Sequence, residues 1–282
     1  MNGIALRKIK SALFVGFCLL SVLLALTPVA LIFFFVVSQG IQALNVDFFT
    51  QVPRPVGELG GGMANAIVGT LIMTGLGSLF AIPVGVMAAV YVSEFKGSRL
   101  GTMTRFAADT LNGVPSIVVG IFVYAIVVLP VKQFSGLAGG LALGIMMIPI
   151  ITRTTEELLL LVPSTMREGA LALGATRARA VFSVILPAAL PGIVTGILLA
   201  LARIAGETAP LLFTALNNQY FSTTITQPMA SLPVQVFNYA TSAFPDQHRQ
   251  AWAGALVLVT IVFTCSVLAR FATRRLERIR GF

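Results

Sequence analysis

Residues 11–37 read SALFVGFCLLSVLLALTPVALIFFFVV and contain no charged side chain. About 20 apolar residues are enough to cross a hydrocarbon core of about 30 Å as an α-helix, so this run predicts a membrane span. The run is too long for the apolar core of a signal peptide, and no convincing small-residue cleavage site follows it. We therefore predict that it is retained as the first transmembrane helix.

The whole chain has the same apolar character. Its 282 residues are 57% hydrophobic and 10% charged, and their mean hydropathy is +0.93, which lies outside the usual composition of soluble domains. Transmembrane barrels show alternating segments of about 10 residues instead of continuous apolar runs. The composition therefore predicts an all-α polytopic membrane protein.

Six apolar stretches are long enough to span. They lie at residues 11–37, 66–93, 107–130, 138–161, 185–215 and 251–272. The predicted division of the chain is a tail (1–10), the first helix with an outer loop (11–65), the main transmembrane domain (66–272) and a basic tail (273–282). An even number of spans puts both termini on one side of the membrane.

Basic residues indicate which side that is, because cytoplasmic loops carry an excess of lysine and arginine. They concentrate at both termini and in the loops after spans two and four: Arg7, Lys8, Lys10, Lys96, Arg99, Arg105, Arg167, Arg177, Arg179, Arg270, Arg274, Arg275, Arg278 and Arg280. The opposite loops hold Arg54, Lys132 and Arg249. We predict that both termini are cytoplasmic, and topology rather than nucleic-acid binding explains the net charge of +9.

Two further patterns concern packing and the outer side. The outer loops 39–65 and 217–250 are long and rich in Pro, Gly, Asn and Gln, which predicts irregular or re-entrant structure able to receive a partner. Glycines four residues apart allow helix backbones to approach closely. They occur at Gly136/Gly140, Gly140/Gly144 and Gly192/Gly196, and internal packing is the preferred interpretation over a dimer seam.

The loop between spans four and five has more order than a linker needs. It runs from Pro163 to Pro187 and reads PSTMREGALALGATRARAVFSVILP. Thr165 and Glu168 have the spacing of a capping box, which predicts a helix start. Gly174 predicts a helix stop, because a left-handed closing residue is tolerated best by glycine. The loop should form a short exposed helix, a turn and a second helix.

Charged residues also occur inside predicted spans, where each costs about 2.5–3.5 kcal/mol on insertion scales. Arg203 and Glu207 are four residues apart in span five, so they should share a helix face and can pair. Arg153 lies in span four, and Glu156 or Glu157 is a candidate to neutralise it. Guanidinium groups suit a tetrahedral oxyanion because their planar fork donates two parallel hydrogen bonds. These residues predict an anion pathway, with a purely structural ion pair as the alternative.

The loop after span four resembles the E-A-A–G–I-x-L-P loop of ABC-importer permeases. The matching residues are Glu168, Ala170, Gly174 and the dipeptide Leu186-Pro187, while Gly169 and Val184 replace the usual Ala and Ile. The resemblance implies a coupling helix that docks on a separate ATPase subunit through Glu168, Ala170 and Gly174.

The chain itself has no recognisable nucleotide site. No lysine follows a glycine, so the phosphate-binding pattern G-x-x-x-x-G-K-[ST] is missing. The only histidine, His248, excludes a His-rich metal site. We therefore predict neither catalytic residues nor a metal or cofactor, and ATP hydrolysis on a partner.

Three longer stretches resemble PstA-type permease subunits of phosphate-specific ABC importers. They read LNGVPSIVVG (111–120), ITRTTE (151–156) and ARIAGETAPLLFTAL (202–216). The resemblance implies the type I ABC importer permease fold, a bacterial inner membrane, and Arg153, Arg203 and Glu207 on the phosphate pathway. The implied partners are a PstC-type sister permease, two copies of an ATP-binding subunit and an extracytoplasmic phosphate-binding protein.

Other classes remain open from the residues alone. A sulfate or molybdate importer would use the same guanidinium chemistry. An ion-coupled secondary carrier would use the same intramembrane charges without needing a docking loop. A membrane-embedded enzyme is disfavoured because clustered His, Cys or paired acids are missing from the sequence.

Overall fold

The computed structural model describes residues 3–55, 58 and 60–280, with side chains described for residues 7–55, 58, 60–268, 270 and 271. Every regular element in this part of the chain is helical, as predicted. The longer helices are α1 (Gly3–Gly40), α3 (Ala64–Glu94), α4 (Arg99–Gly113), α7 (Gly136–Leu161), α10 (Leu186–Ile204) and α13 (Pro245–Arg280). The shorter ones are α2 (Val46–Thr50), α5 (Ser116–Val123), α6 (Leu129–Val131), α8 (Ser164–Ala172), α9 (Arg177–Ala180), α11 (Ala209–Thr214) and α12 (Leu232–Ala240).

Five of the six predicted spans appear as helices long and apolar enough to cross a membrane. Their bounds are Arg7–Ala43, Ala64–Glu94, Gly136–Leu161, Arg177–Ile204 and Pro245–Leu268. Two π-helical turns, Tyr124–Val128 and Val181–Ile185, join α5 to α6 and α9 to α10.

The third span differs from the prediction of one continuous helix over 107–130. Helices Arg99–Gly113 and Ser116–Val131 are bent by 106° where they meet. The cause is Pro115, because proline disfavours helical backbone at the preceding residue. Val114 is accordingly extended, with φ −71° and ψ 130°. Helix α4 is therefore a separate element that packs against α7 and α3.

The fifth span also ends earlier than predicted. Helix α10 stops at Ile204, and the chain turns through Ala205 and Gly206 before α11 begins at Ala209. Pro210 lies in the first turn of α11, where its missing N–H costs nothing, whereas a continued helix would lose a hydrogen bond there. The predicted single helix over 185–215 is therefore wrong in its last third.

Helices α3 and α7 form the centre of the bundle and pack backbone to backbone. A Cβ added to Gly77 of α3 would lie 2.8 Å from the Gly140 carbonyl oxygen and 3.0 Å from the Gly144 nitrogen of α7. Larger side chains would separate the two helices. The predicted use of these glycines for internal packing is confirmed.

Helices α7 and α10 pack antiparallel to each other. A Cβ at Gly196 would lie 3.0 Å from Thr154 Oγ1, and a Cβ at Gly192 would lie 2.7 Å from Leu158 Cδ2. Residue numbers therefore increase along α7 in the direction in which they decrease along α10. This register fixes the relative depth of side chains on the two helices.

The outer loop 217–250 folds back into the bundle, in agreement with the prediction of irregular structure. Backbone hydrogen bonds join Gly136 N to Gln227 O and Met229 N to Ala215 O. Met229 and Leu232 are fully buried. His248 is exposed at the start of α13, as expected for a surface residue.

Candidate functional site

Four charged side chains meet where α4 crosses α7. Glu156 Oε1 accepts hydrogen bonds from Arg105 Nε at 2.8 Å and Arg105 Nη2 at 2.5 Å. Glu156 Oε2 accepts from Arg153 Nη1 at 2.6 Å, and Arg153 Nε lies 2.8 Å from Asp109 Oδ1. Arg153 and Glu156 belong to α7, whereas Arg105 and Asp109 belong to α4.

Glu156 is the buried centre of this cluster. Its side chain is 2% exposed, and a charge so far from water is tolerated only when it is paired and hydrogen-bonded. Removing one partner of such a buried pair costs about 3–5 kcal/mol. Glu156 therefore fixes α4 against α7 and holds Arg153 in a defined orientation.

The predicted partner of Arg153 is thus settled as Glu156, because Glu157 is exposed. Sequence reasoning used Arg105 only as a topology marker and did not single out Asp109. The available signal was their spacing, because residues four apart share one face of a helix. What the spacing does not reveal is which helix that face meets.

The prediction that Arg203 and Glu207 share one helix face is wrong. Arg203 lies in the last turn of α10, and Glu207 lies in the break before α11. Among the described side chains no ion pair joins the two, and Arg203 is exposed. The break at Gly206 is the physical reason, because it removes the helical geometry that would place the two side chains on one face.

Arg203 and Arg153 lie on one helix pair at different depths. Arg203 is two turns beyond Gly196, which faces Thr154, so the antiparallel register puts Arg203 level with Met147. Arg153 is about six residues, or about 9 Å, nearer to the loop that follows α7. The two guanidinium groups are therefore successive along the bundle rather than side by side.

Helix α8 and the turn after it form the exposed loop predicted from the sequence. Gly174 has φ +80°, the left-handed conformation expected of a stop glycine. Glu168 and Gly174 are exposed, Ala170 is partly buried, and no residue of α8 is fully buried. Leu173 is 91% exposed, an unusual position for a large apolar side chain.

The predicted capping box is wrong. Helix α8 begins at Ser164, directly after Pro163, and no side chain caps it. Proline holds Val162 extended, which ends α7 at Leu161 and starts the next helix too early for Thr165 to serve as cap. Helix α9, the second helix of this loop, is capped instead, since Thr176 Oγ1 accepts a hydrogen bond from Arg179 N at 3.3 Å.

One ion pair that the sequence did not reveal attaches α8 to the bundle. Arg167 Nη2 lies 2.5 Å from Glu94 Oε1 at the end of α3. Helix α8 also lies on the covalent connection from α7 to α10, with α9 and a π-helical turn between α8 and α10. Helix α8 is therefore linked to α3 by an ion pair and to α7 and α10 by the chain.

Solved structures of ABC transporters contain chains with a similar fold. The MetNI methionine ABC transporter has a chain that matches with TM-score 0.59 and 21% identity, covering 76% of this chain and 94% of that one. A bacterial alginate ABC transporter in complex with an alginate pentasaccharide-bound periplasmic protein has a chain that matches with TM-score 0.69 and 13% identity, covering 97% and 98%. The fold is that of a type I ABC importer permease.

Sequence comparison defines the family. Residues 81–279 match the model of the binding-protein-dependent transport system inner membrane component. The Phosphate transport system permease protein PstA of Haemophilus influenzae is 43% identical over 265 residues, 94% of each chain, and the Probable phosphate transport system permease protein PstA of Methanocaldococcus jannaschii is 36% identical over 270 residues, 95% of each. The chain belongs to the binding-protein-dependent transport system inner membrane components, and within them to the PstA permease proteins.

Proposed function

We propose that the chain forms half of the translocation pathway for inorganic phosphate in an ATP-driven importer of the inner membrane. The observation that carries this proposal is the placement of Arg153 and Arg203 on α7 and α10, the two helices that α8 connects. The names of the PstA relatives support phosphate as the anion. The residues by themselves support a tetrahedral oxyanion.

Arg203 and Arg153 are the successive anion stations in this proposal. A guanidinium group keeps its charge at any working pH and donates two parallel hydrogen bonds to an oxyanion. Glu207, partly exposed just beyond Arg203, weakens the hold on the anion, since a pathway that binds too tightly does not conduct. The anion therefore passes between two sites of limited affinity.

Coupling is the role we propose for α8. Glu168, Ala170 and Gly174 contact a groove of a separate ATPase subunit, and the exposed Leu171 and Leu173 lose their contact with water there. ATP is hydrolysed on that partner. Closure of the ATPase would move α8, and with it the ends of α7 and α10, so that Arg153 and Arg203 change their access to either side.

The remaining partners follow from the same proposal. A PstC-type sister permease supplies the other half of the pathway, two ATPase copies bind the two permeases, and an extracytoplasmic phosphate-binding protein meets the outer loops. Both termini are cytoplasmic, because the basic residues of the tails and of the loops at α8 then lie on the ATPase side.

The substrate is tested by competition. We expect the assembled importer in proteoliposomes to take up labelled phosphate in the presence of excess sulfate or molybdate, and unlabelled phosphate to abolish the signal. The physical reason is Glu207, whose carboxylate repels every oxyanion. Phosphate that carries a proton offsets part of this repulsion by donating a hydrogen bond to the carboxylate, whereas fully ionised sulfate and molybdate cannot. Equal inhibition by sulfate or molybdate would assign the protein to another oxyanion.

A further inference from the structure

We propose that Asp109 is an internal substitute for the transported anion at Arg153. The Asp109 carboxylate forms an ion pair with the Arg153 guanidinium group when no anion is bound there. An incoming tetrahedral oxyanion displaces it. The inference rests on the proposed function, because it assumes that anions pass Arg153, and it assigns a role to a residue of α4.

Burial separates the two carboxylates that hold Arg153. The Glu156 side chain is 2% exposed, whereas that of Asp109 is 53% exposed. An exposed carboxylate such as Asp109 can be solvated when it leaves Arg153, but the buried Glu156 has no such alternative. Asp109 is therefore the exchangeable partner, and Glu156 is the fixed one.

The contacts lie on different nitrogens of Arg153. Asp109 Oδ1 lies 2.8 Å from Arg153 Nε, and Glu156 Oε2 lies 2.6 Å from Arg153 Nη1. Departure of Asp109 exposes the edge of the guanidinium group that includes Nε, while Glu156 continues to hold its orientation. An oxyanion can then form the two parallel hydrogen bonds that this edge offers.

Charge balance points to the same exchange. Arg105 and Arg153 carry two positive charges, and Glu156 and Asp109 carry two negative ones, so the closed cluster is neutral. With Asp109 turned away, the three remaining groups carry one surplus positive charge next to a solvent-accessible side. Competition from Asp109 keeps the affinity for the anion low enough for release.

The test measures anion binding to the assembled importer in nanodiscs, without the extracytoplasmic binding protein. Labelled phosphate and labelled sulfate are each titrated against the parent and Asp109→Asn. We expect Asp109→Asn to bind phosphate about tenfold more tightly, the range of a charge-assisted hydrogen bond, and to release it more slowly during uptake. Asp47→Asn, which removes another exposed carboxylate on α2, should bind like the parent.

A double variant shows whether the gain acts through Arg153. Asp109→Asn combined with Arg153→Gln should lose the tighter binding, and Asp109→Glu should stay near the parent affinity. Unchanged or weaker binding of both anions by Asp109→Asn, a gain that persists without Arg153, or failure of Asp109→Asn to assemble would each overturn the proposal. A gain for sulfate alone, with no phosphate uptake by the parent, would keep the exchange and reject phosphate as substrate.

Discussion

Gly174→Val should abolish phosphate-stimulated ATP hydrolysis and phosphate uptake while the membrane helices remain folded. Gly174 has φ +80°, and a left-handed backbone costs a residue with a Cβ about 1–2 kcal/mol, most of all when it is β-branched. The turn between α8 and α9 would rearrange, and α8 would no longer meet the ATPase in the required orientation. ATP hydrolysis and uptake are measured on the same reconstituted complex.

Two matched variants test whether the turn itself is responsible. Gly174→Asn should keep partial activity, because asparagine tolerates left-handed backbone. Gly169→Ala should behave like the parent, since Gly169 lies within α8 and a Cβ there meets nothing within 4 Å. Normal coupling in Gly174→Val at unchanged expression would contradict a docking role for this loop.

Arg203→Gln should reduce phosphate uptake at least a hundredfold while assembly with the partner subunits survives. The change removes the guanidinium group, whose hydrogen bonds to an anion each contribute about 1.5–3 kcal/mol to binding. It also leaves the Glu207 carboxylate to repel the anion. Arg203→Lys should also transport poorly, because it keeps the charge but loses the bidentate geometry. Uptake and assembly must be measured separately.

The control variants address the alternative of a structural ion pair. Arg99→Gln removes an exposed arginine at the start of α4 and should leave uptake unchanged. Within the described part of the chain, the structure shows no ion pair between Arg203 and Glu207. If the two nevertheless paired in the assembled importer, Arg203→Gln would damage folding and the addition of Glu207→Gln would restore the protein. A double variant that assembles and imports phosphate like the parent would make Arg203 structural.

Apolar run length was enough to predict the spans but not their interruptions. Because hydropathy is averaged along a sequence, it does not detect the bend at Pro115 or the break at Gly206. The third and fifth apolar runs therefore looked continuous. Both interruptions have local signals in proline and glycine, yet prolines also lie inside helices here, as Pro83 and Pro149 do. Whether such a residue breaks a helix depends on what packs around it.

In the candidate site, too, local features could be predicted from the sequence, whereas contacts between distant helices could not. The exposed loop at α8 was predictable, because its turn glycine is a local feature of the sequence. The cluster around Glu156 was predictable only in part, since the pairing of Arg105 and Asp109 with α7 depends on the 106° bend that brings α4 across it. The shared helix face predicted for Arg203 and Glu207 is wrong because the prediction assumed an unbroken helix.

The source of energy for uptake tests the proposed function most directly. Proteoliposomes holding the complete importer, with ATP enclosed on the side of α8 and the binding protein outside, should accumulate phosphate without any ion gradient and in the presence of a proton uncoupler. Replacement of ATP by a non-hydrolysable analogue should stop accumulation. Uptake that follows a proton gradient and is indifferent to ATP would contradict the proposal and identify an ion-coupled carrier.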